Sequence, residues 1–130
     1  MIPLLMLGSA GCSKSVEDAQ KKLLIQIMTN GRWVVQTFSE ETQVLTAEFN
    51  GYEFQFYENG KVDGIKGTQV TSGTWAVDAV NYTIQSNFPQ GNTTLQRLNE
   101  TWRITNSTPI TVEARPVSTA RNAYLKLNKK

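Results

Sequence analysis

From Trp33 to Leu127 the polarity of this chain repeats every second residue, and short turn signals interrupt the repeat at regular intervals. A period of two puts alternate side chains on opposite faces of an extended strand. Trp33, Val35 and Thr37 alternate with Val34, Gln36 and Phe38, so the first strand is apolar on both faces near its start. Tyr52, Phe54 and Phe56 share a face opposite Glu53, Gln55 and Tyr57. Asn59-Gly60 follows at once and predicts a hairpin whose two turn residues both take positive φ. Residues 61–66 return, Gly67 turns the chain, and residues 70–77 run on through Gly73-Thr74-Trp75, a turn-to-strand junction. Val80, Tyr82 and Ile84 form one more alternating set, and residues 95–99 predict a short helical turn. Trp102 with Ile104, then Ile110 with Val112 and Ala114, then Leu125 with Leu127 complete about eight short strands, the spacing of an all-β barrel or sandwich.

One wet face per strand argues for antiparallel pairing, because parallel strands buried on both faces read as near-continuous apolar runs. Closing the sheet removes its two edges and with them a route to aggregation. The expected fold is therefore all-β, an eight-stranded up-and-down antiparallel barrel over residues 31–130. One amphipathic helix should precede it. Ser15 is placed as its N-cap with Asp18 three residues on, and Val16, Ala19, Leu23 and Ile27 recur at helical spacing. Asn30-Gly31 supplies the stop.

Ahead of the helix stands Cys12, the single cysteine of the 130 residues. Residues 1–7 are apolar, Gly8-Ser9-Ala10-Gly11 are small, and Cys12-Ser13-Lys14 follows. That order is the order of a bacterial lipoprotein leader, with residues 1–11 removed and the Cys12 thiol carrying a diacylglycerol. No Lys or Arg precedes Cys12, and Ser9 stands where such leaders usually have Leu. The apolar run is too short for a bilayer span, which takes about 20 residues. Residues 12–30 would then be the lipidated tether and helix. The expected location is the cell envelope, at the outer membrane, on either its periplasmic or its outer side.

The same residues exclude several chemistries. Net charge is +2 with acids and bases scattered, so nothing suggests a nucleic-acid partner. The chain has no histidine, which removes the commonest general base and metal ligand together. Glu40-Glu41 is the one local acid pair and reads as solvated loop charge, since neighbours in a loop point apart. Glu53 and Asp63 could face each other across the Asn59-Gly60 hairpin, but Lys61 and Lys66 are equally near as ion-pair partners. No phosphate loop, nucleophile elbow or metal spacing is present, so no catalytic residue, cofactor or metal is expected. Four Asn-x-Ser/Thr triplets, at Asn81, Asn92, Asn99 and Asn106, read as strand and turn composition rather than glycan sites.

Helix, then Gly31-Arg32-Trp33 opening the first strand, then an up-and-down run of strands, resembles the lipocalin superfamily. More closely, the chain resembles small lipocalin-like lipoproteins of Bacteroidota. The matching stretches are Gly51-Tyr52-Glu53-Phe54-Gln55-Phe56 with Asn59-Gly60, Gly73-Thr74-Trp75, Leu98-Asn99-Glu100-Thr101-Trp102 and Tyr124-Leu125-Lys126-Leu127. The resemblance implies that the Trp33 indole closes the barrel floor under an arginine, with Arg121 the first candidate and Arg103 the second. It also implies a barrel able to hold a small hydrophobic or amphipathic ligand.

Trp33, Phe54, Phe56, Trp75, Tyr82 and Trp102 are the aromatic set expected inside, as core first and as ligand-pocket lining second. Two functional expectations stand side by side. One is a lipid-anchored barrel that binds a small apolar molecule. The other is a non-enzymatic interaction module, an accessory subunit or inhibitor, acting through the polar loops 40–46, 89–94 and 115–122.

Overall fold

Nine strands among the described residues form one antiparallel sheet, and its first and last long strands pair to close a barrel. The computed structural model describes residues 2–130, with side chains described from Lys14 onward. The expected leader over residues 1–11 and the lipidation site Cys12 lie outside the residues whose side chains are described.

Helix α1 (Ile2–Thr29) leads into β1 (Arg32–Glu40), followed by the two-residue β2 (Gln43–Val44) and a 3-10 turn (Thr46–Phe49). Then come β3 (Tyr52–Phe56), β4 (Lys61–Lys66), β5 (Gln69–Asp78), β6 (Thr83–Asn87), the single helical turn α2 (Thr93–Gln96), β7 (Glu100–Thr108), β8 (Thr111–Pro116) and β9 (Ala123–Lys129). Every pairing is antiparallel, and consecutive strands from β3 to β9 are neighbours. β1 meets β9 from Trp33↔Lys129 to Glu40↔Ala123, but meets β3 only at Arg32↔Gln55 and Trp33↔Phe54. β2 is a stub on the end of β1, so the closed barrel has the expected eight strands.

Three local expectations need correction. Ser15 lies inside α1 and is not its cap. The helix turns Leu24 and Met28 into the barrel, while Val16 and Leu23, expected on its buried face, are exposed. Those two residues lie on the flank of the helix, and the strands meet the stripe beside them. The β3–β4 hairpin also differs. Gly60 takes positive φ and Asn59 does not; Gly60 N–H donates to Tyr57 O and Tyr57 N–H to Lys61 O. This is a three-residue loop with glycine in the left-handed position, rather than the expected two-residue turn.

A bulge sets which faces are buried. In β1 the register slips between Val35 and Thr37, leaving Gln36 without a partner. The extra residue moves Phe38 to the same inner face as Trp33, and both rings are fully buried. A second slip falls between Ile104 and Asn106 in β7. Gly73 lies within β5 rather than at its start, at a point where the inner wall is very close. A Cβ there would meet the Asn87 carbonyl oxygen at 2.3 Å and Phe88 Cδ1 at 2.9 Å.

Gly64 offers an internal comparison, since a Cβ there meets mainly the flexible tip of Leu95, at 3.1 Å. Gly73→Ala should therefore cost about 1–3 kcal/mol in urea unfolding, because the obstacle is backbone. Gly64→Ala should cost less than Gly73→Ala. Equal losses, or none for Gly73→Ala, would contradict this packing.

Candidate functional site

Two places can carry function, the barrel interior and the loops at its rim. The interior is a continuous core running from Met28 at one end to Phe49 and Leu95 at the other. Aromatic rings fill much of it: Phe38 tilts against Phe49 at 5.3 Å, Tyr52 stacks on Phe54 at 5.9 Å, and Phe56 meets Trp75 edge-on at 5.1 Å. What is left is an apolar cavity of about 50 Å³. Pockets that take a drug-sized ligand run to roughly 300–1,000 Å³. Ser86 is the one lining residue with a polar side chain, and its hydroxyl donates to the Leu98 carbonyl.

The six expected interior aromatics separate into three groups. Phe54, Phe56 and Trp102 line the cavity. Trp33 and Trp75 are buried but serve the wall: Trp33 Nε1 donates to Met28 O at 2.9 Å, and Trp75 Nε1 to Tyr57 O at 2.8 Å. Tyr82 is not inside. Asp78 Oδ1 accepts from the Val80 and Asn81 backbone amides, which holds residues 78–82 in a turn, and β6 begins only at Thr83. Tyr82 takes φ 54 there, is 38 % exposed, and its hydroxyl bonds Ser107 on the outside. Ile84 takes the inward place instead.

The cation over Trp33 is Lys129, with its ammonium 4.7 Å from the ring centre. Its Nζ donates to Ile27 O at 3.0 Å, and burial pulls its pKa down. Neither arginine expected there fills the role. Arg103 is exposed, and Arg121 sits at the opposite end, 5.4 Å over Trp102. The register explains this, because Lys129 pairs directly with Trp33 across β1–β9.

Arg121 belongs to a network that ties down the far rim. Its guanidinium donates to Glu40 at 2.9 and 3.0 Å, to Glu100 at 3.3 Å and to the Arg97 carbonyl at 2.8 Å. Arg97 bonds Glu48 at 2.8 Å and lies 3.8 Å from Glu40. The Glu41 amide donates to Asn122 O at 2.8 Å. Loops 40–46 and 115–122 are thus joined directly, and Arg97 with Thr94 binds the α2 region to Glu48. Glu40 is the hub of this network, not the solvated loop charge its sequence context suggested. Hydrogen bonds from Arg121 hold its carboxyl below the ordinary carboxylate range, against the opposing pull of partial burial.

The remaining polar candidates have structural partners. Asp63 faces Gln55 across β3–β4, not Glu53, which pairs with Ile65. It accepts from Ser72 at 2.7 Å and from Tyr57 at 3.1 Å, with Lys61 at 3.7 Å. Glu53 pairs with Arg32 and Lys130 on the outer wall. Asn92 caps α2 and donates to the Tyr52 hydroxyl, Asn99 accepts from the Phe88 amide, and Asn106 donates to Glu113. Among the described residues no group of three potential metal ligands comes together. No described helix is long and apolar enough to cross a membrane.

The lowered pKa of Glu40 fixes a sign. A carboxylate depressed in the folded state stabilises above its unfolded pKa, and that contribution is lost as pH falls through the folded value. Between about pH 5 and pH 3 the wild-type Tm should fall more steeply than that of Glu40→Gln. Parallel melting curves for the two proteins across that window would contradict the assignment.

No protein-family model matches this chain, and no curated protein sequence matches it either. Among solved structures it is similar to a DUF4847 family protein from Bacteroides vulgatus ATCC 8482, with a TM-score of 0.59 and 15 % sequence identity. The match covers 82 % of this chain and 97 % of that one. At that identity the likeness is one of fold: a closed eight-stranded barrel shared with a Bacteroides protein.

Proposed function

We propose that this chain is a non-catalytic, lipid-anchored protein of the bacterial cell envelope, and that its barrel is a rigid scaffold presenting a protein-binding rim. The observation that carries the reading is the gathering of all three polar loops at one end of a filled barrel. Loops 40–46 and 115–122 are bonded to each other, and the segment 89–94 leads into α2, which is bonded to Glu48 on the same rim. That rim is opposite the end where α1 enters, so a chain tethered by its N-terminus would hold it away from the bilayer. Val44, 76 % exposed, and Val117, 37 % exposed, give the rim apolar contacts among charged neighbours. Loops held on a rigid scaffold are where binding residues concentrate.

The anchoring half rests on the apolar run, the small residues and Cys12. The outer membrane is the proposed location, in keeping with a lipocalin-like lipoprotein of Bacteroidota. A second reading is favoured by the cavity lining, apolar but for Ser86: the interior takes a very small hydrophobic guest. A lipid-sized ligand is disfavoured, because about 50 Å³ of room would have to grow several-fold.

Cys12→Ser should move the protein out of the membrane fraction of its host or leave it unprocessed. Unchanged fractionation would overturn the anchor. In envelope cross-linking, a reproducible adduct should form with wild-type protein and be lost in Val44→Asp/Val117→Asp, while the Tm stays within a few degrees. An adduct unaffected by these rim substitutions would place the contact elsewhere, and with it the function.

A further inference from the structure

The end of the barrel opposite the rim carries apolar surface that the fold leaves uncovered. Val80 is 69 % exposed, Ile110 63 %, Leu23 56 % and Val16 55 %. Val80 and Ile110 sit at the tips of the β5–β6 and β7–β8 turns, and α1 crosses this end with Leu24 and Met28 turned inward. At 3.6 residues per turn, Val16, Leu23 and Ile27 form a stripe roughly a quarter-turn to one side of Leu24 and Met28. The opposite flank is mixed: Asp18, Lys21, Lys22, Ile25 and Gln26 line a groove against Glu58. The apolar flank faces the β7–β8 turn, because Lys129 joins the two. Its backbone amide donates to Ile110 O and its ammonium to Ile27 O. The Tyr82–Ser107 hydrogen bond ties the β5–β6 turn to β7, and Lys21 of α1 lies near Asp78 in that turn.

We propose that this end is a bilayer-docking surface, on which Leu23, Val80 and Ile110 enter the lipid interface and fix how the tethered barrel stands on the membrane. The proposal rests on the lipid anchoring proposed above. Continuity of the chain selects a bilayer as the occupant. The stripe belongs to the same helix that runs back toward Cys12. An acyl chain on Cys12 would bring this end, and not the rim, to the lipid surface. Two turn tips and a helix flank at one end of the barrel also suit a flat surface better than a groove-filling peptide.

The test couples full-length protein through Cys12, its single cysteine, to a maleimide lipid in phosphatidylethanolamine–phosphatidylglycerol vesicles. Backbone amide exchange is then compared with that of N-ethylmaleimide-capped protein in solution. Amides in the turns 78–82 and 107–111 should slow about tenfold on vesicles, while loops 41–46 and 117–122 keep their solution rates. Leu23→Asp/Val80→Asp/Ile110→Asp should abolish the slowing with the Tm unchanged; a Tm loss would move the test to Ile110→Asp alone, which must then weaken it. Equal rates in both settings, or slowing at the rim loops, would overturn the proposal. Slowing of the same turns in capped, vesicle-free protein as its concentration rises would assign the surface to a second copy, and would also overturn it. Because the tether is chemical, absence of natural lipidation would defeat the anchoring reading without altering this result.

Discussion

The Trp33 indole is where the structure locks. It sits on β1 opposite Phe54 of β3 and Lys129 of β9, so the two strands flanking β1 both meet at this residue. Its N–H takes the Met28 carbonyl at the end of α1, satisfying a group that a helix terminus would otherwise leave unpaired. Lys129 covers the ring and caps a second helix carbonyl, that of Ile27. Helix, first strand and last strand are thus joined through one buried side chain. Truncating a buried indole generally costs about 3–5 kcal/mol, against a net stability of about 5–15 kcal/mol for a domain. Because β1 holds β3 by only two residue pairs, no neighbouring ladder replaces that contact.

With the floor closed by α1 and the rim tied by Arg97 and Arg121, the barrel has no wide mouth at either end. Its two ends differ in chemistry. At the rim, guanidinium and carboxylate groups bond across loops far apart in sequence, which fixes the loops without burying them. At the floor, the loops are short turns, two of them with bare aliphatic tips at Val80 and Ile110. The scaffold thus presents a polar, ordered face and an apolar one on opposite sides of a filled core, and the proposed roles of the ends follow from that division.

Strand order, the barrel and the location of the core were legible because alternation and turn residues are local. Most of the long strands overlap an alternating segment of the sequence, while β4 was placed by the Asn59-Gly60 and Gly67 turns that bound it. What was not legible depends on single-residue shifts or on distance along the chain. The unpaired Gln36 moves Phe38 inward, and nothing in the local pattern marks a bulge there. Tyr82 continues an alternation by composition, but the Asp78 turn ends it with a hydrogen bond to a backbone amide. On α1 two apolar stripes lie side by side, and helical period alone does not say which one the barrel covers. The Glu40–Arg121 pair spans 81 positions, so its sequence neighbour Glu41 drew the reading toward solvated charge. Lys129 over Trp33 would have followed from the β1–β9 register, which the sequence does not print.

Fourteen residues close around the interior void, and its small size separates a scaffold from a carrier. Native mass spectrometry of protein purified from its host in mild detergent measures that difference directly. The account predicts the mass of the chain with its N-terminal modification and no further adduct. A stoichiometric, lipid-sized adduct that survives removal of the N-terminal segment would contradict it.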